Sequence, residues 1–168
     1  MLNLRRFSPR VLSLLVILAT ALPGRSVSAD DQVPFEASFK TAFSGVVAFP
    51  FINITVDGDG QARHLGRAHA STTNQQANLI TGHVTATYTV TAANGDTLVF
   101  ELVAESVFPT PTHVIFEGTY EITGGTGRFS EASGSGLLSG SATFTSPTGG
   151  IGEFSLSGTV SSPGSAKQ

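Results

Sequence analysis

Hydrophobic and polar residues alternate along most of the chain with a period of two residues. In the segment 81–91, the apolar positions are Val84, Ala86, Tyr88 and Val90. The same alternation runs through the segments 35–40, 98–105, 113–122 and 153–160. Successive side chains of a strand point to opposite faces, so this pattern predicts strands with one buried face and one solvated face, which is typical of antiparallel sheet. No segment of useful length has a helical period.

Glycine-rich segments separate the alternating ones and predict turns. Asn94-Gly95 lies between two alternating segments and is a strong hairpin signal, because both residues tolerate a positive φ. By the same chemistry, we predict turns at 57–60, 124–127 and 147–150. In the segment 46–56, apolar residues occupy both the odd and the even positions, and the segment contains Pro50. This combination predicts an edge strand, a bulged strand or a strand covered on both faces.

About eight strands joined by short turns indicate a closed barrel or a sandwich. Closure is favoured because the segment 133–141 consists almost entirely of small residues, which suit the inner side of a tight bend. We therefore predict an all-β fold, a closed antiparallel barrel of about eight strands.

The first 29 residues predict a signal peptide. Arg5, Arg6 and Arg10 precede an apolar segment, 11–22, and Val27-Ser28-Ala29 forms a small-residue cleavage pattern. Twelve residues are too few to span a bilayer, which needs about 20. We therefore expect an exported protein, periplasmic or extracellular, with no stable membrane span, a barrel domain at 30–160 and a flexible tail at 161–168.

The predicted mature chain of 139 residues is acidic and lacks cysteine. It has five Lys and Arg residues against twelve Asp and Glu residues, a net charge of −7. This charge argues against binding to nucleic acid or to anionic membrane surfaces, which both require a basic patch. Without cysteine, a core in an oxidising compartment must be stable without disulfide bonds.

One hairpin carries a family resemblance. The segment 118–129 reads GTYEITGGTGRF and is followed by Ala132, Gly134 and Gly136. It resembles the signature hairpin of the allene oxide cyclase-like barrel superfamily, whose members include plant dirigent proteins and exported bacterial proteins of unassigned function. The segments 64–67 and 94–98 are similar to recurrent segments of the bacterial members, and the resemblance covers roughly 39–160.

The resemblance implies an eight-stranded calycin-type barrel with a central cavity, and a homotrimer as in the plant relatives. Those relatives steer the cyclisation or coupling of an apolar substrate inside the barrel, with acidic and basic side chains in the lumen. In this chain the alternation places the strand carboxylates on the polar face. They are Glu101, Glu105, Glu117, Glu121 and Glu153. We therefore predict no catalytic residue, since a general acid or base must reach the reacting proton.

Metal and cofactor sites are not expected either. His64 and His69 are five residues apart, so an extended strand would point them to opposite faces. His83 and His113 lie on different predicted strands, and the chain has no cysteine ligand. The segment 57–60 resembles half of a calcium loop but lacks the downstream glutamate, so an acidic hairpin turn is the better interpretation.

Four side chains are candidate ligand-binding residues. Tyr88 and Tyr120 share the apolar parity of their strands, and a buried tyrosine hydroxyl requires a partner. Arg67 and His69 face solvent if Gly66 and Ala68 point inward, and they line the lumen if Leu65 does. The amino-acid composition of this segment does not decide between these two orientations of Arg67 and His69.

The glycine-rich turn after the sixth strand has a structural interpretation. Gly124, Gly125 and Gly127 supply the turn. Arg128 is expected to pair with an acid such as Glu131 or to cap the end of the barrel, and Phe129 is expected to plug it.

Three functions fit these observations. The first is a non-enzymatic barrel that binds a small apolar or amphipathic molecule in its lumen. The second is a cyclase or isomerase on such a molecule, and the third is a barrel with a filled core that acts as an envelope or secreted interaction module. An apolar cavity favours the first two, and an ionisable group inside it favours catalysis. The third requires a lumen packed solid by Phe100, Phe116, Phe129, Phe144 and Phe154.

Overall fold

The computed structural model describes residues 32–161 and 163. It contains eight strands: β1 (Gln32–Ala48), β2 (Phe51–Ala62), β3 (Gly66–Asn78), β4 (His83–Ala92), β5 (Thr97–Thr110), β6 (His113–Gly125), β7 (Gly134–Ser146) and β8 (Gly149–Ser161). A short 3₁₀ helix, Gly127–Phe129, lies between β6 and β7. The predicted signal peptide and most of the predicted tail lie outside the described residues. Within those residues, no helix is long and apolar enough to cross a membrane.

Each strand pairs antiparallel with the next one, and β8 pairs with β1 to close the barrel. Closure is visible at Phe39 of β1, which lies opposite Gly60 on one side and Phe154 on the other. The predicted fold class, a closed antiparallel barrel of eight strands, is confirmed. A closed barrel has no free sheet edge, so every strand can satisfy its backbone hydrogen bonds on both sides.

The predicted alternation sets the two faces of the barrel wall. In β4, Val84, Ala86, Tyr88 and Val90 are buried, and in β5, Leu98, Phe100, Leu102 and Ala104 are buried. The five strand glutamates are exposed, at positions 101, 105, 117, 121 and 153. Asn94-Gly95 forms the predicted turn between β4 and β5, with Gly95 at a φ of 88°.

Two local predictions were wrong. The segment 57–60 is not a turn but the middle of β2, where Gly60 lies opposite Phe39. A Cβ atom at Gly60 would lie 2.6 Å from a ring carbon of Phe39, so this glycine makes room for a large inward-facing ring. The segment 46–56 is not one strand, because Phe49 and Pro50 form the turn between β1 and β2.

The two ends of the barrel differ. The β2–β3, β4–β5 and β6–β7 connections lie at one end, together with the start of β1 and the end of β8. Leu65, Phe129 and Ala132 of these connections are buried and cover this closed end. The β1–β2, β3–β4, β5–β6 and β7–β8 turns surround the other, open end.

Six aromatic side chains meet across the lumen near its middle, and we call them the aromatic layer: Phe35, Phe39, Tyr88, Phe100, Tyr120 and Phe154. Tyr88 stacks on Phe100 with ring centroids 5.4 Å apart and also meets the edge of Phe154 at 5.4 Å. Phe39 lies 5.1 Å from Phe154. Such aromatic pairs stabilise a core beyond the apolar area they bury. The aromatic layer marks the boundary between the packed part and the open part of the lumen.

Candidate functional site

The open half of the barrel encloses a cavity of about 890 Å³. Its wall is formed by all eight strands and consists largely of aliphatic and small residues. They include Ile54, Val84, Leu102, Ala104, Ala142 and Gly152. All six belong to the inward-facing parity of their strands, so the alternation that builds the barrel also makes the cavity apolar. The volume lies in the range of about 300–1,000 Å³ that is usual for small-molecule sites.

The aromatic layer forms the floor of this cavity. Tyr88 and Phe154 line it, whereas Phe100 and Phe129 are fully buried towards the closed end. Phe116 and Phe144 line the open half without closing it. Of the five phenylalanines that could have packed the lumen solid, Phe100, Phe129 and Phe154 therefore contribute to the packed part, and Phe116 and Phe144 border the cavity.

Gln75 supplies a polar group inside this apolar cavity. The side chain lines the cavity, and the Tyr88 hydroxyl donates a hydrogen bond of 2.8 Å to Gln75 Oε1. Tyr88 is 4% exposed, so this bond satisfies a hydroxyl that would otherwise be buried without a partner. Within the described residues, the Gln75 side-chain amide makes no hydrogen bond from its nitrogen, which leaves its N–H groups available to a ligand.

A bulge in β3 brings Gln75 inward. Ala70 and Thr72 are buried, and then the register shifts between Ser71 and Gln76, so the inward positions change parity. The Asn74 side chain occupies the irregular site, where its Oδ1 accepts hydrogen bonds from the Thr72 hydroxyl (2.8 Å) and the Thr87 backbone N–H (3.0 Å). Sequence reasoning missed Gln75 because a strict period of two would have carried the alternation through this segment unchanged.

Tyr88 and Tyr120 lie at different positions relative to the cavity. Tyr88 borders the cavity, and burial raises the pKa of its hydroxyl, so this group stays protonated at neutral pH. Tyr120 is packed between Phe35 and Phe100, outside the lining of the cavity. Its hydroxyl is buried without a hydrogen-bond partner in the described part of the chain, and burial raises its pKa to about 12. A Cβ atom at Gly158 would lie 2.8 Å from that hydroxyl, so the ring depends on a glycine opposite it.

Glu153 is the only carboxylate residue that lines the cavity within residues 32–161. Its side chain is exposed and alternates along β8 with the buried Phe154. It therefore belongs to the outer face of the wall. Apart from Tyr88, the described lining carries no titratable side chain directed into the lumen.

The structure resolves the orientation that composition left open for Arg67 and His69. Ala68 and Ala70 of β3 are buried, so Arg67 and His69 lie on the outer face of the barrel. Leu65 is also buried, but it belongs to the turn before β3 and does not set the parity of the strand. Both polar residues border a shallow outer cleft of about 550 Å³, away from the lumen.

Two aspartates of β2 hold His69. The ring donates from Nε2 to Asp57 Oδ2 at 2.8 Å and from Nδ1 to Asp59 Oδ1 at 3.0 Å. Both nitrogens can donate to carboxylates only when the ring carries two protons. The hydrogen bond to Asp59 is the main reason that the pKa of His69 is raised, with Asp57 adding to it.

The glycine-rich turn fastens the closed end. Arg128 donates from Nε to Asp96 Oδ2 at 3.1 Å and from a terminal nitrogen to the His64 carbonyl oxygen at 3.2 Å. It thus connects three turns at the closed end, and the acid with which it pairs is Asp96. Gly127 has a φ of 60°, and a Cβ atom there would collide with the Asp96 carboxylate.

The other two glycines of this turn sit at the end of β6. Gly124 has a φ of 145°, and Gly125 is packed against Phe129, whose side chain is buried. Asp96 also accepts a hydrogen bond from Asn94, which is the main cause of the lowered pKa of its carboxyl. The turn residues therefore act together at the closed end, far from the mouth of the cavity.

Among the described residues, no group of three or more His, Asp or Glu side chains is arranged to hold a metal ion. His83 bonds to Glu105 at 2.8 Å, and His113 lies 3.3 Å from the Thr143 hydroxyl. Each of these histidines is engaged with one neighbour across the outer face of the sheet.

The chain resembles solved structures but matches no known protein family. No protein-family model and no curated protein sequence matches the chain. Among solved structures, the chain is similar to that of a pterocarpan synthase dirigent protein, with a TM-score of 0.48 and 16% sequence identity over 88% of this chain and 99% of that chain.

The site of His69 predicts a pH dependence of stability. Because its folded pKa is raised, protonation stabilises the fold fully below the unfolded pKa of about 6.5, and this contribution is lost as pH rises through the folded pKa. We expect the free energy of unfolding, measured in urea, to fall between pH 5.5 and 8.5 by about the amount that this exposed site can supply, a few tenths of a kcal/mol. His69→Gln should reduce that pH dependence, whereas Ser155→Gln, which changes a non-titrating residue on the outer face of β8, should leave it unchanged. An identical pH profile for the wild type and His69→Gln would contradict this assignment.

Proposed function

We propose that the barrel binds a small apolar or amphipathic molecule in its lumen, without catalysing a reaction on it. The observation that carries this proposal is the apolar cavity of about 890 Å³, open at one end and floored by the aromatic layer. An apolar cavity of this size that is accessible from outside favours a ligand, because burial of apolar surface contributes roughly 25 cal/mol per Å².

The polar groups of the lumen support an amphipathic ligand. Gln75 and Tyr88 form a single hydrogen-bonded pair beside the floor, surrounded by Val84, Leu102 and other aliphatic side chains. A ligand with one hydrogen-bond acceptor at its inner end would receive an N–H from Gln75, while its hydrocarbon part contacts the wall. A carbonyl or ether oxygen on an otherwise apolar molecule fits this arrangement.

Binding is favoured over a cyclase or isomerase activity by the chemistry of the lumen. A general base must be deprotonated near neutral pH. Burial raises the pKa of the Tyr88 hydroxyl, so this group stays protonated and cannot act as the base. The glutamates of the strands, such as Glu101 and Glu117, are exposed on the outer face. The side chains around the cavity can therefore position a molecule, but they offer no acid–base pair.

The cellular setting is part of the same proposal. The predicted signal peptide would deliver the protein outside the cytoplasm, where a carrier of a poorly soluble molecule is useful. Native mass spectrometry of protein recovered from its exporting host would measure the mature N-terminus, the number of subunits and the mass of any retained molecule together.

Filling the cavity should abolish binding. Ala142→Phe places a ring in the open half, so we expect the affinity for a hydrocarbon probe, ethylnaphthalene, to fall about tenfold or more in equilibrium dialysis. A loss of tenfold corresponds to about 1.4 kcal/mol. Ser139→Phe is the matched control, because it adds the same ring to the exposed face of the same strand. Equal affinities of both variants and the wild type would refute binding in the lumen.

The Gln75–Tyr88 pair should distinguish ligands by their polarity. Acetylnaphthalene has nearly the shape of ethylnaphthalene but carries a carbonyl acceptor. We expect the wild type to prefer the ketone about three- to tenfold, since a net hydrogen bond contributes about 1 kcal/mol. Gln75→Met keeps the volume but removes the donor, and it should abolish the preference. Tyr88→Phe should weaken it, because the amide loses the bond that orients it. A preference that survives in Gln75→Met would place the polar contact elsewhere.

A further inference from the structure

The open end of the barrel carries an exposed apolar rim, which we define as Val46, Val47, Phe49, Leu79, Ile80, Val107 and Phe108. These residues come from the β1–β2 and β3–β4 turns and from the ends of β1 and β5 that lead into the open end. Phe49 is 76% exposed, Val46 is 71% exposed and Ile80 is 69% exposed. Large exposed apolar surfaces are uncommon on soluble proteins and mark interaction sites.

Lining the lumen accounts for only part of the rim. Val47, Leu79, Ile80, Val107 and Phe108 border the cavity. Along a strand, however, only every second side chain faces the cavity, yet adjacent residues are apolar at Val46-Val47 of β1 and at Val107-Phe108 of β5. Val46 and Phe49 do not line the cavity at all. The sequence therefore places apolar side chains on both faces of the wall at the open end, where one of the two faces is in contact with water.

The rim is also free of charge. The four segments that surround the open end contain no Asp, Glu, Lys, Arg or His: 43–56, 70–82, 106–112 and 141–152. The closed end differs, since its turns carry Arg63, Asp96, Arg128 and Glu131. At the open end, the first charged or titratable residues follow directly below the rim, at His83, Glu105, His113 and Glu153. The rim itself can therefore contact a medium of low polarity without burying a charge.

We propose that the apolar rim docks on the surface of a neutral lipid layer and that the lumen exchanges its ligand with that layer. The second half of this inference rests on the proposed function. A protein seated on the rim would close the mouth of the cavity, which lies in the middle of the rim. A lipid surface would cover the same side chains and leave the mouth in contact with the phase in which apolar molecules dissolve.

The docking mode follows from the shape of the rim. The fourth turn, Thr145–Gly149, has small polar side chains, so the contact is apolar on three sides of the mouth and polar on one. Apolar burial at a lipid interface does not need anionic headgroups when the contact has no basic residue. We therefore expect vesicles of phosphatidylcholine alone to bind the protein at least as well as vesicles that also contain phosphatidylserine.

Vesicle flotation with protein from the exported fraction tests this proposal. The variant Val46→Asp with Phe49→Asp changes two rim residues that are 71% and 76% exposed and do not line the cavity. Its matched control is Leu137→Asp with Val103→Asp, which adds the same charge at two outer-wall residues away from the rim that are 68% and 49% exposed. The wild type and the control should float with phosphatidylcholine vesicles, and the rim variant should float about tenfold less.

Several results would overturn the proposal. They are no flotation of the wild type, equal flotation of the rim variant, and flotation that requires phosphatidylserine. A dimer that the rim substitutions dissociate, with no flotation, would replace the lipid surface with a second copy of the chain. Equilibrium dialysis of ethylnaphthalene separates the two proposals: the rim variant should bind the dissolved probe as the wild type does. If neither the wild type nor any variant bound ethylnaphthalene while flotation stayed intact, the proposal of a ligand in the lumen would be wrong and the proposal of docking on lipid would stand.

Discussion

The structure depends on aromatic rings that meet across the inside of a closed barrel. Tyr88 contacts both Phe100 and Phe154 in the middle of the lumen, with ring centroids 5.4 Å apart in each pair. On one side of this contact, large side chains such as Phe129 complete a packed core. On the other side most inward positions are aliphatic or small, and Phe116 and Phe144 line the remaining space without filling it.

This division explains how one domain of modest size can be both stable and hollow. The packed half provides a core without disulfide bonds, since the chain has no cysteine. At the same end, Arg128 holds the turns together through Asp96 and the His64 carbonyl group. The open half need not contribute equally to stability, so its side chains can leave a cavity between them.

Much of this architecture was predictable from the sequence, because a period of two allows only one assignment of faces once large apolar residues occupy one parity. The exposed glutamates and the inward Tyr88 followed directly. Arg67 and His69 could not be oriented, since Leu65 is buried in the turn before the strand and suggested the wrong parity. The bulge that turns Gln75 inward likewise leaves no mark in a simple alternation.

Glycine was the other source of error. The Asp-Gly-Asp-Gly segment of β2 has the composition of a turn, yet Gly60 is needed there because Phe39 occupies the space beside it. The sequence also did not show how much of the lumen the side chains fill. Phe116 and Phe144 point inward like Phe100, and only the packing of the rings in the structure shows that Phe116 and Phe144 border open space.

The most direct test of the account is methyl NMR with a bound apolar probe. With ethylnaphthalene added, intermolecular nuclear Overhauser effects should appear at methyl groups of the open half, such as Val84, Leu102 and Ala104. None should appear at Leu98, Val90 or Val160, which are 0% exposed and lie towards the closed end. Contacts to these latter residues, or contacts only to the outer face, would contradict a lumen that is packed in one half and open in the other.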